Sequence, residues 1–378
     1  MKALLISLLL LQLISINLSM DINTHYKSYI QSFGYKLEEN SVTTDDGYIL
    51  SVWHLNPKSA NGKIVFMQHG LADTAWTFFQ LGKNSLPFLL LKEGFDIWLG
   101  NSRGNIFSNS HVSKNPKDPK SGYNDYSIDN LAANDLPAMI KYVRSKTGNK
   151  KIIYIGHSQG TTIFFMNAMH NPTFTEQSFD RFVALGTVPN IAHTKFAPIE
   201  ILDKIGTILK KVGIIDTFNL SNNQRELLSN FCKLSPNICG SGFELSTCLK
   251  PSGKLNFKNL YNFLYYYPGG VSKRNLLHWS QIHQMKKLVY YNPNFDKEKA
   301  AKEYNTYYLK KWKIKSLIAR TDDDTLSSYQ DVTDFYSAAE NKKIIKILDL
   351  VNYGHIDCIA AESAINEIFI PVIKFLKF

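Results

Sequence analysis

Ser158 stands in the run YIGHSQGTT, residues 154–162, between Gly156 and Gly160. A serine hydroxyl is a weak nucleophile. To attack a carbonyl it needs a base that takes its proton and a carboxylate that orients the base. Glycines on either side suit a sharp strand-to-helix corner that lifts the hydroxyl above a sheet edge. The histidines beyond Ser158 are His170, His193, His278, His283 and His355. His355 follows an apolar strand ending at Val351 by four residues, where an open α/β sheet carries its site, and is the candidate base. His278 and His283 read as lid or surface residues. The acid is expected after the preceding strand, where ARTDDDTLSSYQDV offers Asp322, Asp323 and Asp324. Chemistry alone does not choose among them. Asp357, two residues past His355, is a rival better suited to a supporting role. Backbone N–H groups of Gln159 and Leu71, the latter just after QHG, are the candidate donors to an oxyanion.

These residues need a scaffold, and the hydrophobic pattern supplies one. Continuous apolar runs at 62–70, 94–105, 150–158, 181–189, 313–324 and 342–351 predict buried strands. Helix-compatible segments separate them at 84–94, 127–148 and 160–170, and an amphipathic stretch closes the chain at 360–378. Ser127 can cap the second of these helices and Gly148 can end it; Pro137 should kink it or mark a late start. Strands alternating with helices predict a mostly parallel sheet with helices on both faces. The rhythm stops from about 190 to 312, too long a stretch for a loop. It predicts an inserted helical subdomain, placed between the sixth and seventh sheet strands. The expected division is therefore a signal peptide at 1–20, core at 21–189, cap or lid at 190–312 and core again at 313–378.

The chain has 378 residues, 44% of them hydrophobic, with a net charge of +11. Its lysines are scattered in pairs such as Lys150/Lys151 and Lys342/Lys343 rather than clustered among stacking aromatics, which argues against a nucleic-acid partner. One lysine, then an apolar stretch to about Ile16, then small and polar residues give the pattern of a secretory signal peptide. That stretch is short for a membrane span, and no transmembrane span is expected elsewhere. Cys232, Cys239 and Cys248 crowd together and Cys358 lies apart, in a chain bound for an oxidising compartment, so a disulfide among the crowded three is expected. Without a C-x-x-C pair or an adjacent histidine, zinc is not implied. Asn219-Leu220-Ser221 is the glycosylation candidate; Asn171-Pro172-Thr173 is blocked by its proline.

Taken together, GYKLEENSVTTDDGYIL, QHGLADTAW, DIWLGNSRGN, GHSQGTT, PGGVSKRNLLHWSQ and GHID make the chain resemble the acid lipase family, which includes lysosomal acid lipase and gastric lipase. The likeness runs over essentially the whole mature chain. It implies an α/β-hydrolase fold with a helical cap, and hydrolysis of neutral-lipid esters such as triacylglycerols or steryl esters through an acyl-enzyme. The implied setting is a micelle, droplet or membrane interface, in a secreted or lysosomal compartment, by a monomer without metal or organic cofactor. The family register puts the acid two residues before a leucine and seven before an Asp-Val pair; Leu326 and Asp331-Val332 select Asp324. The resemblance also implies a Cys232–Cys239 bridge. A carboxylesterase or phospholipid deacylase is the alternative activity, and an inactive binding protein on the same fold is the alternative class.

Overall fold

The computed structural model describes residues 22–195, 222–247, 252–255, 257 and 260–378. The expected signal peptide, Asn219 and Cys248 lie outside them. Among the described residues nine strands form one sheet: β1 (Leu37–Thr43), β2 (Tyr48–Leu55), β3 (Ile64–Gln68), β4 (Asp96–Gly100), β5 (Ser110–His111), β6 (Ile152–His157), β7 (Phe179–Leu185), β8 (Lys315–Thr321) and β9 (Ile345–Leu350). Their order is β1-β2-β4-β3-β6-β7-β8-β9, with β5 beside β2. From β4 to β9 every pairing is parallel, whereas β2 pairs antiparallel with β1, β4 and β5.

The central strands carry long apolar runs because both of their faces are covered. Ile64 and Phe66 of β3, Ile152 and Tyr154 of β6, and Phe182 and Ala184 of β7 enter one core cluster. Their neighbours Val65, Met67, Ile153, Ile155, Val183 and Leu185 enter a second. Period-two alternation thus splits each strand between two cores.

The main helices are α1 (Ile22–Ser32), α2 (Leu86–Lys92), α3 (Leu136–Lys146), α4 (Gln159–His170), α5 (Asn222–Leu234), α6 (Pro236–Thr247), α7 (Lys273–Met285), α8 (Tyr329–Ala338) and α9 (Ile370–Lys377). Helices α3, α4, α7 and α8 pack into the first core, and α1, α2 and α9 into the second. Ser127 does cap a helical start, its side chain accepting from the Asp129 amide, and Gly148 stands at φ +69° past the end of α3. Pro137 marks a late start, standing in the first turn of α3. It follows a wide turn at Leu131–Asp135 in which the Leu136 N–H donates to the Leu131 carbonyl five residues back. A ring without an N–H is absorbed by such a register change. The same arrangement precedes Pro371, where the Ile370 N–H donates to Ile365.

In chain order the insertion separates β7 from β8, the sixth and seventh strands once the two-residue β5 is set aside. Its described elements are mostly helical. The later part is built into the body: Trp279, Ile282, Leu288, Val289, Tyr304 and Trp312 belong to the first core cluster. His278 and His283 are buried rather than surface residues, and the His278 ring bonds the Val289 carbonyl at 2.7 Å. Phe263, Leu264 and Tyr266 sit in the second core with Trp76 and Phe79. Cys232 and Cys239 form a disulfide that clamps α5 to α6, and Cys358 is buried outside that bridge.

Candidate active site

In the sheet, β3 lies between β4 and β6, so the chain leaves β3 to one side and later returns on the other. Such a reversal opens a crevice beyond the carboxyl ends of the strands. Ser158 is the first residue beyond β6, and His69-Gly70-Leu71 follow β3 immediately. Asp324 and His355 come shortly after β8 and β9.

The corner at Ser158 is tight. Its φ is +54° and its ψ −124°, a strained conformation for a residue with a side chain. A Cβ on Gly160 would overlap the Gln68 carbonyl of β3, and one on Gly156 would stand 2.9 Å from Gly160 and Thr161 backbone atoms. The two glycines are therefore what let α4 start directly on β6 and β3. The Ser158 N–H is held by the Leu185 carbonyl at 3.0 Å.

His355 Nε2 lies 2.6 Å from Ser158 Oγ, and its Nδ1 lies 2.7 Å from Asp324 Oδ2. An ionised carboxylate can only accept, so Nδ1–H donates to Asp324 and Nε2 is left to accept from the serine. The other Asp324 oxygen takes the amides of Leu326 and Ser327 at 2.9 and 2.8 Å. Ser158, Asp324 and His355 are all at most 5% exposed. Asp322 is exposed and turns instead to the Asn352 amide at 2.7 Å, while Asp323 is only half-buried. Asp357 accepts the Gly354 N–H at 2.6 Å and does not bond the His355 ring.

His355 is braced on other sides. A Cβ on Gly186 would stand 3.3 Å from its ring, so that glycine lets the ring lie against the backbone. His157 Nε2 bonds the His355 carbonyl at 3.3 Å. Burial, and then the neighbouring His355, push the His157 imidazole down to about 3, so it stays neutral and can donate there.

The loop after β3 passes directly against the serine: a Cβ on Gly70 would stand 3.0 Å from that of Ser158. His69 fixes this loop. Its Nδ1 bonds the Gly70 carbonyl at 2.8 Å, and its Nε2 accepts from the Ser102 N–H at 3.1 Å and faces the Asn105 amide at 3.3 Å. Burial pushes His69 down to about 4, which keeps the neutral tautomer this pattern requires. Arg103, between them in the chain, anchors the same run: its guanidinium binds buried Asp135 and also Asp46. Gln159 opens α4, where first-turn amides have no helical acceptor. Its side chain takes the Trp279 indole N–H at 2.8 Å. None of His69, Ser102, Arg103, Asn105 and Trp279 was singled out by sequence reasoning. The polar run NSRGN after an apolar strand was the available signal for three of them.

A profile of the "Partial alpha/beta-hydrolase lipase region" matches residues 26–82, and one of the "alpha/beta hydrolase fold" matches residues 63–361. The chain is 32% identical over 376 residues to Lipase member K of Homo sapiens, covering 96% of this chain and 92% of that protein. The chain belongs to the acid lipase family of α/β-hydrolases. A second member of the family, gastric triacylglycerol lipase of Mus musculus, is 30% identical over 94% of this chain and 92% of its own. Among solved structures, an esterase from Exiguobacterium antarcticum superposes with a TM-score of 0.54 at 13% identity, over 90% of this chain and all of that one, a likeness of fold. The nine-stranded, mostly parallel sheet with helices on both faces is the architecture expected of the family.

Proposed function

We propose that the protein is a serine-dependent lipase that hydrolyses carboxylic esters of neutral lipids, triacylglycerols or steryl esters, through an acyl-enzyme. The unbroken chain of contacts from Asp324 through His355 to Ser158 is the observation that carries this reading. His355 Nε2 takes the serine proton as Oγ attacks the ester carbonyl. Asp324 holds the imidazole in the right tautomer and stabilises its positive charge. The Gln159 and Leu71 amides receive the developing oxyanion. His355 then gives its proton to the departing alcohol, and water, activated by the same imidazole, releases the fatty acid.

The substrate class is supported by the relatives' names and by the surface of the insertion. Leu227, Phe231 and Leu234 follow one another at helical spacing on α5 and are 68%, 48% and 74% exposed. Ile238 on α6 adds a fourth apolar side chain, 68% exposed. The opposite side of α5 buries Arg225, Ser229 and Cys232. An exposed apolar stripe suits a cap, assigned to the insertion at 190–312, that meets a lipid phase. The core then comprises 21–189 and 313–378. Among the described residues no helix is long and apolar enough to cross a membrane. With the N-terminal signal pattern, the reading is of a monomeric enzyme of the secretory route, secreted or lysosomal, that reaches lipid from the aqueous side.

The test is hydrolysis of triolein, cholesteryl oleate and a short soluble ester, by the parent and by Ser158→Ala, across acidic and neutral pH. The reading expects turnover of the long-chain substrates by the parent and none by the variant. Turnover by Ser158→Ala within tenfold of the parent, or no activity of the parent on either long-chain ester, overturns it.

A further inference from the structure

The loop that carries His355 has no regular structure of its own, so side chains must hold it in place. His157 grips it from β6. On its other side stands Asp357, a 1% exposed carboxylate outside the proton path described above. Asp357 Oδ2 accepts the N–H of Gly354, the residue just before His355, at 2.6 Å. Burial pushes the Asp357 carboxyl up, and nearby Asp324 adds to this, while the Gly354 amide and the charge of Lys254 favour its ionised form.

Ser252 and Lys254 come from the insertion. The Lys254 ammonium also lies 4.4 Å from the centre of the Tyr353 ring, two residues before His355. Leu255 makes an antiparallel bridge with Ala361, six residues after it. The Ser252 hydroxyl takes the Lys254 N–H at 3.1 Å, which fixes the turn between them. One short segment of the insertion therefore grips the histidine loop before and after the imidazole.

We propose that residues 252–255 form a positioning element for His355, acting through Asp357 and Tyr353, so that the seating of the insertion sets the reactivity of Ser158. This rests on the reading of Ser158, His355 and Asp324 as the reacting groups. A histidine displaced by about an ångström cannot keep both of its hydrogen bonds, and such misplacement costs about 10²-fold in rate. The insertion then does more than cover substrate: it aligns the base.

The experiment compares Asp357→Ala, Asp357→Asn, Ser252→Ala and Lys254→Ala on p-nitrophenyl butyrate, a soluble ester too small to need an apolar roof. It reads kcat, KM, the rate of fluorophosphonate labelling and the melting temperature. Asp357→Ala should lower kcat and labelling together, by about 10–10², with KM little changed. Asp357→Asn should recover most of that loss, because its amide oxygen can still accept the Gly354 N–H. Ser252→Ala and Lys254→Ala should lower kcat by about 3–10-fold without lowering the melting temperature. The proposal is overturned by parental kcat in folded Asp357→Ala, or by losses confined to KM. Should Asp357→Ala not fold, parental kcat and labelling in Lys254→Ala overturn it alone. Residual turnover or labelling in Ser158→Ala would instead fault the nucleophile assignment, which separates the two failures.

Discussion

Ser158 and His355 announce themselves in the sequence because motif and chain order restrict them: a serine between glycines after a strand, a histidine after the last strand. Asp324 does not, since three consecutive aspartates share one chemistry. What separates them is the loop, in which Asp324 turns inward onto the Leu326 and Ser327 amides while Asp322 is spent on Asn352. Only the family register could select it beforehand. Asp324→Asn should leave the imidazole in the wrong tautomer and lower kcat by about 10⁴, whereas Asp322→Asn should cost less than about tenfold. Steady-state kinetics on a soluble ester decides, and a more sensitive Asp322 would move the acid. Asp73 gives a second prediction. Burial pushes it up to about 7, against the Thr74 amide and Thr77 hydroxyl that pull it down. An unfolded aspartate titrates near about 3.9. Between those values the folded chain keeps a proton that the unfolded chain has lost, so this group makes stability fall as pH rises through that window, and adds no further slope above it. In Asp73→Asn that slope should vanish: melting curves at about pH 4.5 and about pH 7.5 should show the parent gaining more on acidification than the variant. A parent-minus-variant difference that is the same at both pH values refutes the assignment.

The parallel strands were legible as elements because burial on both faces leaves long apolar runs, as in IVFM of β3 and IIYI of β6. The hairpin of β1 and β2 was not, because LEENSVT is an edge strand with half of its surface in water and no apolar run. The braces around His69 were equally hidden, since they join residues of distant segments through a buried polar network. At this scale Gly160 is an exacting position. Gly160→Ala would drive a methyl group into the Gln68 carbonyl and should destabilise by about 3 kcal/mol or more, or prevent folding, as thermal melting or soluble yield would report. Parental stability would mean that α4 can start further from β3. The Cys232–Cys239 bridge closes a short loop, with a sequence separation of 7, and its loss should cost the insertion about 2–3 kcal/mol. Cys232→Ser/Cys239→Ser should accordingly be cut sooner by protease within the insertion while the core melts normally. Equal resistance of the two proteins would show that helix packing alone holds α5 to α6.

For the whole molecule, the interruption of the strand–helix rhythm foretold an insertion. It could not show that the later part of that insertion is sewn into the core, because apolar residues such as Trp279 and Trp312 look alike whether they pack among themselves or against a sheet. The apolar stripe on α5 belongs to this scale, since its effect depends on what the surface meets. Replacing Leu227, Phe231 and Leu234 together by serine should reduce activity on emulsified triolein by about tenfold or more, with activity on a short soluble ester retained, because exposed apolar area is what binds a lipid phase. Parallel loss on both substrates would make the stripe structural. The long excursion between β7 and β8 also fixes an order of events at the chain's birth. Arg181 pairs with Lys315 only after the entire insertion has been made, and His355 follows later still. While the polypeptide is being translated, N-terminal segments can fold first. Ser158 can then take up its corner between β6 and α4, yet His355 reaches it only once the last strand and its loop have emerged. A partly made chain therefore holds the hydroxyl without the imidazole that would take its proton, so the topology itself delays assembly of the proposed site.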